Sequence, residues 1–332
     1  MALSAAQLEL FERDGALVID TPLTPAELDA AEAAFDKLSA LAKTPEFRDD
    51  KKKRWAVTPM SPVAYTAPVF DQTFIDFIGH PFFETVTQQI LRSQKVVLFE
   101  CGPIERGHTP ASTDPVKPDP TEQEQWESGM HLDVQLTRSD FDATPRREML
   151  AIWVWLTDVP AERGAMRVLK GSHRSVMDHW EGTLRPERTA SLPRVHGLRP
   201  HRPGTEWVEE KEYIPELESV PYHQQVPTPM VARRGQAQVF TQACLHAAAR
   251  NTAADGVARK AFIMSWLPVG VPGGAEPNRI AALRAVYPEV RQRMRPGREH
   301  LIMDERAMQV QGGSLFVSTY EDKWPEMFMP RL

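Results

Sequence analysis

Hydrophobic periodicity divides the chain into a helical start, a strand-rich middle and an irregular end. A short helix is predicted near residues 4–13, followed by a strand in GALVID and by a second helix in TPLTPAELDAAEAAFDKLSALA. Thr24 supplies the N-cap of that helix, Pro25 its first position, and Glu27 completes a capping box. Residues 83–93 form another predicted helix, and the apolar run KVVLFECG at 95–102 is typical of a buried strand.

Three further strand-like runs follow a proline-rich loop that ends near residue 126. MHLDVQL alternates apolar and polar residues, EMLAIWVWLTDV is long and apolar, and AMRVLKGSH is short and closed by Gly-Ser. Turn signals such as ATP and PAERG separate them, and no helical pattern intervenes. We therefore expect antiparallel pairing.

A long insertion interrupts the strand-rich region. Periodicity disappears over residues 174–230, where proline, arginine and histidine are frequent, and such insertions are usually lids or mobile segments. Order returns in GQAQVFTQACLHAAARN, predicted as one strand whose face carries Gln238, Phe240, Gln242, Cys244 and His246. ARKAFIMSWLPV is a further strand, and residues 275–294 are predicted to be helical. We interpret 1–332 as one domain, with a helical support at 1–94, a core at 95–270 and an extension at 271–332.

Composition narrows the functional classes. The 332 residues are 42% hydrophobic and 25% charged, as in a soluble globular protein, and a net charge of −6 argues against nucleic-acid binding. The N-terminus lacks the basic and apolar regions of a secretory signal, and no apolar run approaches the roughly 20 residues of a membrane span. Two cysteines are too few for a disulfide framework, so a reducing cytoplasm is expected.

Candidate metal ligands lie on two of the predicted strands. Residues i and i+2 of a strand point to one side, so His131 and Asp133 can present an imidazole and a carboxylate to one ion. A His-x-Asp can occur by chance in a chain with ten histidines. His246 on a later strand, however, can complete the facial triad of two His and one carboxylate found in non-haem iron(II) oxygenases. The competing interpretations are a core histidine for His246 and, for the neighbouring Cys244, either a ligand thiolate or a small buried hydrophobe.

Arg259 lies thirteen residues after His246. If residues 247–257 turn the chain, the strand that begins near Arg259 returns beside the His246 strand. A guanidinium there suits a distal carboxylate, such as that of 2-oxoglutarate, through bidentate charge-assisted bonds. The competing interpretation is a surface salt bridge.

These motifs, in this order, resemble the phytanoyl-CoA dioxygenase family over roughly residues 8–268. His131 and Asp133 match its His-x-Asp. Its central tract resembles IWVWLTDVPAERGAMRVLKGSHR, with Trp153, Gly164, Gly171, Ser172 and His173 in register, and its late His, Asn and Arg resemble His246, Asn251 and Arg259. The chain departs from the family at Lys170, Gln236 and Ala248, and its span from His246 to Arg259 is slightly long.

The resemblance implies a mainly β protein with flanking helices, a double-stranded β-helix or cupin-like jelly-roll. It implies iron(II) and O2 at His131, Asp133 and His246, and 2-oxoglutarate as a cosubstrate held by Arg259. Trp153 either lines the 2-oxoglutarate pocket, as its family counterpart does, or is plain core. Related halogenases replace the acid with a small residue, so the intact Asp133 favours a hydroxylation or another oxygenase-type oxidation. His173 is expected to be structural.

The sequence does not specify the substrate, because a fold does not fix a function. The insertion holds cationic residues that could grip an anionic small molecule, although a solvated loop balanced by the acidic EWVEEKEYIPELE explains them equally well. They are Arg174, Arg185, Arg188, Arg194, Arg199 and Arg202, with His179, His196 and His201. The alternatives to a 2-oxoglutarate-dependent oxygenase are a cupin-type dioxygenase without this cosubstrate and a non-catalytic binding protein. No oligomeric state is predicted.

Overall fold

Helices precede a set of antiparallel strands, as the sequence pattern predicts. The computed structural model describes residues 3–42, 44–45, 71–115, 118–132, 136–181, 225–269 and 288–302. The α-helices are α1 (Ala5–Asp14), α2 (Pro25–Ala42), α3 (Gln72–Ile78), α4 (Pro81–Leu91), α5 (Glu122–Gly129), α6 (Arg138–Asp142) and α7 (Ser172–Glu181). The strands are β1 (Ala16–Asp20), β2 (Val96–Arg106), β3 (Leu150–Trp155), β4 (Arg167–Val168), β5 (Thr228–Pro229), β6 (Gln236–Thr241), β7 (His246–Ala247) and β8 (Arg259–Pro268).

The capping box predicted for α2 is confirmed. The Thr24 hydroxyl accepts a hydrogen bond from the Glu27 backbone N–H at 3.3 Å, and the Glu27 carboxylate accepts one from the Thr24 backbone N–H at 2.8 Å. These two bonds satisfy backbone donors that a helix start leaves without an intrahelical partner. They fix where α2 begins.

Two antiparallel sheets form the jelly-roll. The larger has the strand order β1-β6-β3-β8-β2 and the smaller the order β5-β4-β7. Because the side chains of a strand alternate between its faces, each strand of the larger sheet serves two environments. One face packs against the helices, and there the Phe262 ring stacks on Phe74 of α3 at a centroid distance of 4.8 Å.

The other face of the larger sheet points towards the smaller sheet. Ala151 and Phe240 pack there with Val168 of β4, and Trp155 and Ala261 pack with residues of the connecting loops. This inner face, between the two sheets, is where a jelly-roll places its ligands. The predicted fold class is therefore confirmed.

Three predicted elements differ from the structure. The strand through His246 is wrong as a single element, because β6 ends at Thr241, residues 242–245 form a turn and bend, and His246 begins β7 in the other sheet. In MHLDVQL, only His131 and Leu132 are paired among its described residues. The insertion begins with the ordered helix α7, in which Val176 and Met177 are buried, rather than with loss of periodicity.

Several predictions lie partly outside the described residues. Most of the insertion, 182–224, and most of the extension are among these, and of the predicted helix at 275–294 the described part is helical over 288–293. No helix of the described part is both long and apolar enough to cross a bilayer. The proposed division of the chain into support, core and extension stays a prediction.

Candidate active site

Two histidines from distant parts of the chain are paired across the smaller sheet. His131 and His246 exchange both backbone hydrogen bonds, at 2.9 and 3.1 Å, in an antiparallel bridge that adds residue 131 beside β7. Directly opposite residues of this kind project their side chains to the same face. Their imidazole centroids are accordingly 4.3 Å apart, so the rings that the sequence separates by 115 positions lie side by side.

Backbone carbonyls orient both imidazole rings. Nδ1 of His131 lies 2.7 Å from the Gly129 carbonyl oxygen, and Nδ1 of His246 lies 2.9 Å from the Cys244 carbonyl oxygen. A carbonyl only accepts, so each Nδ1 carries the proton and donates it, which leaves the lone pair of each ring on Nε2. This is the tautomer and the outer hydrogen bond that metal-binding histidines usually have.

The third predicted ligand, Asp133, lies outside the described residues, as do residues 134 and 135. Within the described ranges, no group of three His, Cys, Asp or Glu side chains could hold a metal ion. The chemistry of the donor pair nevertheless fits a ferrous ion, since two neutral imidazoles plus one carboxylate are the donors of the facial triad. The ligand roles of the three residues stay a prediction.

Cys244 has a structural role. Its thiol is fully buried, burial raises its pKa to about 12, and its Sγ lies 3.3 Å from both the Ser172 hydroxyl and the Leu169 carbonyl oxygen. A thiol held protonated in this way is a poor metal ligand. The interpretation as a small buried residue is the one these contacts support.

The Gly-Ser-His tract supports the turn before His246. The Ser172 hydroxyl accepts a hydrogen bond from the Leu245 backbone N–H at 2.9 Å, which fixes the approach to β7. The His173 ring is buried against Phe141 at 5.3 Å, and burial lowers its pKa to about 4. A neutral histidine in this packing is structural, as expected from the sequence.

Trp153 faces inward from β3, but it is only partly buried. Its ring meets Trp155 edge-on at 5.9 Å and Phe240 at 5.6 Å, and the Phe240 ring lies 5.4 Å from that of His246. A chain of aromatic contacts thus runs from β3 to the histidine pair. The contact of Trp153 with 2-oxoglutarate stays a prediction.

Arg259 is the first residue of β8 and is only 2% exposed. Its Nη1 donates to the Gly164 carbonyl oxygen, and its guanidinium carbon lies 5.5 Å from the centre of the Trp155 ring. Burial, helped by the nearby charge of Arg106, lowers its pKa to about 10, so it still carries its charge near neutral pH. The surface salt bridge that was the competing interpretation is wrong: no described carboxylate forms an ion pair with Arg259, and the side chain is buried.

Asn251 ties the histidine end of the site to the arginine end. Its Nδ2 donates to the carbonyl oxygens of Val257 at 2.8 Å and Arg106 at 3.3 Å, and its Oδ1 accepts from the Ala253 N–H at 3.2 Å. It is fully buried. These bonds hold the loop between β7 and β8 against the end of β2.

Two residues of the inner face have no role in the sequence interpretation. Gln238 was placed on the correct strand, but its amide is fully buried with no hydrogen-bond partner among the described residues. Arg106 ends β2 opposite Arg259. Strand periodicity alone could have placed Arg106 on the inner face, but only the pairing of β2 with β8 brings it beside Arg259. Of the insertion's cations, Arg174 alone has a described side chain, and it donates to the Glu12 carbonyl oxygen at 2.8 Å.

Comparisons with known proteins give one family match and several similar structures. The model of the family described as phytanoyl-CoA dioxygenase (PhyH) matches residues 11–261, and no curated protein sequence matches. Among solved structures, the non-heme alpha-ketoglutarate-dependent carbocyclase SnoK from nogalamycin biosynthesis is similar, with 16% identity, a TM-score of 0.49, and coverage of 81% of this chain and 85% of that one. HygX from Streptomyces hygroscopicus, with nickel and 2-oxoglutarate bound, has 15% identity, a TM-score of 0.48, and coverage of 81% and 89%.

The epimerase SnoN, in complex with Fe3+, alpha-ketoglutarate and nogalamycin RO, has 17% identity to this chain, a TM-score of 0.47, and coverage of 80% and 86%. All three structures are less than 20% identical to this chain. The family match is different, because it spans well over half of the 332 residues and includes both histidines and Arg259. The chain belongs to the phytanoyl-CoA dioxygenase family, whose members are oxygenases that use iron(II), 2-oxoglutarate and O2.

Proposed function

We propose that this protein oxidises an unactivated carbon of a small-molecule substrate, with hydroxylation as the favoured outcome and with release of succinate and CO2. The observation that carries this proposal is the imidazole pair of His131 and His246, 4.3 Å apart and oriented by carbonyls so that both Nε2 atoms hold a lone pair. Such a pair is suited to one metal ion, and family membership makes that ion iron.

His131, His246 and Asp133 would hold the iron, and Arg259 would hold the distal carboxylate of 2-oxoglutarate. When bound, this pair of cofactors supplies the activation of O2, coupled to oxidative decarboxylation of the oxo acid. The residues of the chain have other tasks. The Gly129 and Cys244 carbonyl oxygens keep the two imidazoles in one tautomer and orientation, so the ligands need little reorganisation when metal binds.

The inner face supplies a largely apolar wall next to the histidines. Phe240 touches the His246 ring, and Trp153 packs on Phe240. Apolar walls exclude water from a reacting centre and strengthen the electrostatic interactions inside it. A buried guanidinium such as Arg259 is stable in this setting only with an anion or other acceptors, and 2-oxoglutarate brings the anion.

Anaerobic loading of the purified protein with iron(II) and 2-oxoglutarate tests the proposal. A visible charge-transfer absorption band is expected, because the oxo acid then chelates the iron. His246→Ala should abolish the band and lower the bound iron. His300→Ala is the matched control, since that histidine is half-exposed and its ring nitrogens contact Gly297 and Glu84, far along the chain from the site.

Two other outcomes favour the alternatives. If iron binds but no band forms and O2 is consumed without 2-oxoglutarate, the protein is a cupin-type dioxygenase. If the band forms but no substrate stimulates O2 consumption or succinate formation, a non-catalytic binding protein is favoured. Screening small molecules, acidic ones included, for stimulated succinate formation identifies the substrate class and addresses the expectation of an anionic substrate.

A further inference from the structure

Arg106 lies directly opposite Arg259 at the edge of the inner face. In the register of β2 with β8, Arg106 pairs with Arg259, and the pair two positions earlier is Ile104 with Ala261. Ala261 and Ile104 both belong to the inner cluster around Trp155. Residues two positions apart on a strand share a face, so both arginine side chains project to the inner side of the sheet.

The intervening residues of the two strands project the opposite way. Lys260 forms ion pairs with Asp36 at 2.5 Å and Glu32 at 3.4 Å on α2, and the Glu105 carboxylate accepts from the Ser39 hydroxyl, also on α2. The nearest carboxylate in the sequence, Glu105, is therefore occupied on the helix side. It is not available to the two arginines on the inner side.

Among the described residues, neither guanidinium has an anionic partner. The contacts of Arg259 within those residues are with neutral groups, the Gly164 carbonyl and the Trp155 ring, and the buried Nε of Arg106 has no hydrogen-bond acceptor there. No ion pair to a described carboxylate forms at either residue. Arg259 is buried and Arg106 is partly buried. Three other buried arginines in the described part of the chain each meet an acid: Arg146 pairs with Glu12, Arg163 with Asp255 and Arg167 with Glu122.

Two like charges directly opposite each other on a sheet repel, and burial strengthens the repulsion. The effect is visible in the lowered pKa of Arg259, to which Arg106 contributes after burial itself. An arrangement of this kind is destabilising unless a negative group binds both cations. Two planar forks of donors on one face match the two oxygens of a carboxylate.

We propose that Arg106 and Arg259 act together as a two-arginine clamp for the carboxylate of 2-oxoglutarate that is remote from its oxo group. This inference rests on the proposed function and adds Arg106 as a second binding residue. The clamp should make the protein select 2-oxo acids that carry a second carboxylate. A carboxylate of the substrate offers the same chemistry, and the experiment separates the two sources.

The test is an anaerobic titration of the iron-loaded protein, followed through the charge-transfer band. The ligands are 2-oxoglutarate and 2-oxobutanoate, which has the same chelating oxo acid but lacks the remote carboxylate. Arg106→Gln should weaken 2-oxoglutarate binding by at least about ten-fold and leave 2-oxobutanoate binding unchanged. Arg295→Gln, which removes the same charge at a side chain 60% exposed, should change neither.

Each outcome decides one question. If the wild type forms no band with 2-oxoglutarate, the proposed function fails and the clamp with it. If the wild type forms the band and Arg106→Gln binds both ligands as the wild type does, only the clamp fails, and the arginine is left for a substrate carboxylate. Equal weakening of both ligands also overturns the clamp. Arg106→Lys, which keeps the charge without the fork, replaces the Gln variant if that variant does not fold, and it should lose part of the preference for 2-oxoglutarate.

Discussion

Gln238 occupies the middle of the inner face with an amide that the described residues do not satisfy. It lies on β6 between Val18 of β1 and Trp153 of β3, its cross-strand neighbours. The side chain is fully buried, and neither its Nε2 nor its Oε1 has a hydrogen-bond partner in the described part of the chain. A buried polar group in this state costs stability, so its removal has a predictable sign.

Gln238→Leu is the perturbation, because leucine has a similar size and no polar atoms. Leaving a buried donor or acceptor unsatisfied costs about 1–3 kcal/mol. The substitution should therefore raise the free energy of unfolding of the metal-free protein by about 1–3 kcal/mol. If the urea dependence is about 3 kcal/mol/M, the unfolding midpoint rises by about 0.3–1 M.

Urea unfolding followed by circular dichroism measures the effect, with Gln242→Leu as the matched control. Gln242 is also buried and its Oε1 has no described partner either, but its Nε2 donates to the Ser265 hydroxyl at 3.2 Å. Its replacement removes an existing hydrogen bond and should not stabilise. The reasoning is refuted if Gln238→Leu lowers the midpoint as much as Gln242→Leu does, since the Gln238 amide would then be bonded within the protein.

Three other predictions concern buried groups. Burial raises the pKa of Glu148 from 4.5 to about 7, so its contribution to stability is greatest below pH 4.5 and is lost as the pH rises through 7. Over this range, the free energy of unfolding of the wild type minus that of Glu148→Gln should fall by about 3 kcal/mol. A difference in urea unfolding that stays constant with pH would contradict this. Gly164→Ala should destabilise the protein by more than the roughly 1 kcal/mol expected of Gly256→Ala. Both glycines have a positive φ, but a Cβ at Gly164 would lie 2.7 Å from a backbone carbonyl oxygen. An equal loss of unfolding free energy in the two variants, measured in urea, would count against this contact. Cys244 should not react with iodoacetamide at pH 8 until the protein unfolds, and mass spectrometry that finds it labelled in the native state would argue against its burial.

Periodicity located the strands of the larger sheet, because each is long enough for its pattern to be read. β3 and β8 were predicted from runs of apolar residues, but their pairing was not predicted. The strand of Arg259 was expected beside the strand of His246, whereas β8 lies between β3 and β2 in the larger sheet and His246 begins β7 in the smaller one. The start of α2 was also predicted correctly, because Thr24, Pro25 and Glu27 carry its capping signal. These elements depend on local sequence, which is why the sequence alone sufficed.

The turn before His246 could not be read in this way. Residues 242–245 continue the alternation of β6, yet the chain bends there. The Thr241 hydroxyl accepts from the Ala243 N–H at 3.2 Å, and the Ser172 hydroxyl accepts from the Leu245 N–H at 2.9 Å. The second of these bonds comes from a residue more than seventy positions away. Tertiary contacts of this kind redirect a strand without changing its pattern of apolar residues.

The candidate site was predictable to the extent that motifs carry it. The proximity of His131 and His246 was expected, because both match a family motif and were predicted on strands, whereas their direct backbone pairing was not predicted. Arg106 and Gln238 match no motif, and their interest lies in what they lack, an anion for one and a hydrogen-bond partner for the other. Missing partners become visible only when the neighbours of a side chain are known.

The bonds of Asn251 have a consequence for how this chain tolerates change. The Asn251 amide holds the end of β2 and the far side of the β7–β8 connection together. The separation of the imidazoles from the guanidiniums therefore depends on these hydrogen bonds and not on the number of residues in the connection. Additional residues between His246 and Arg259 can then be accommodated in the exposed turn around Gly256, which lies between β7 and β8, without lengthening the site. Insertions or deletions in that turn should be tolerated, provided that Asn251 keeps its hydrogen bonds.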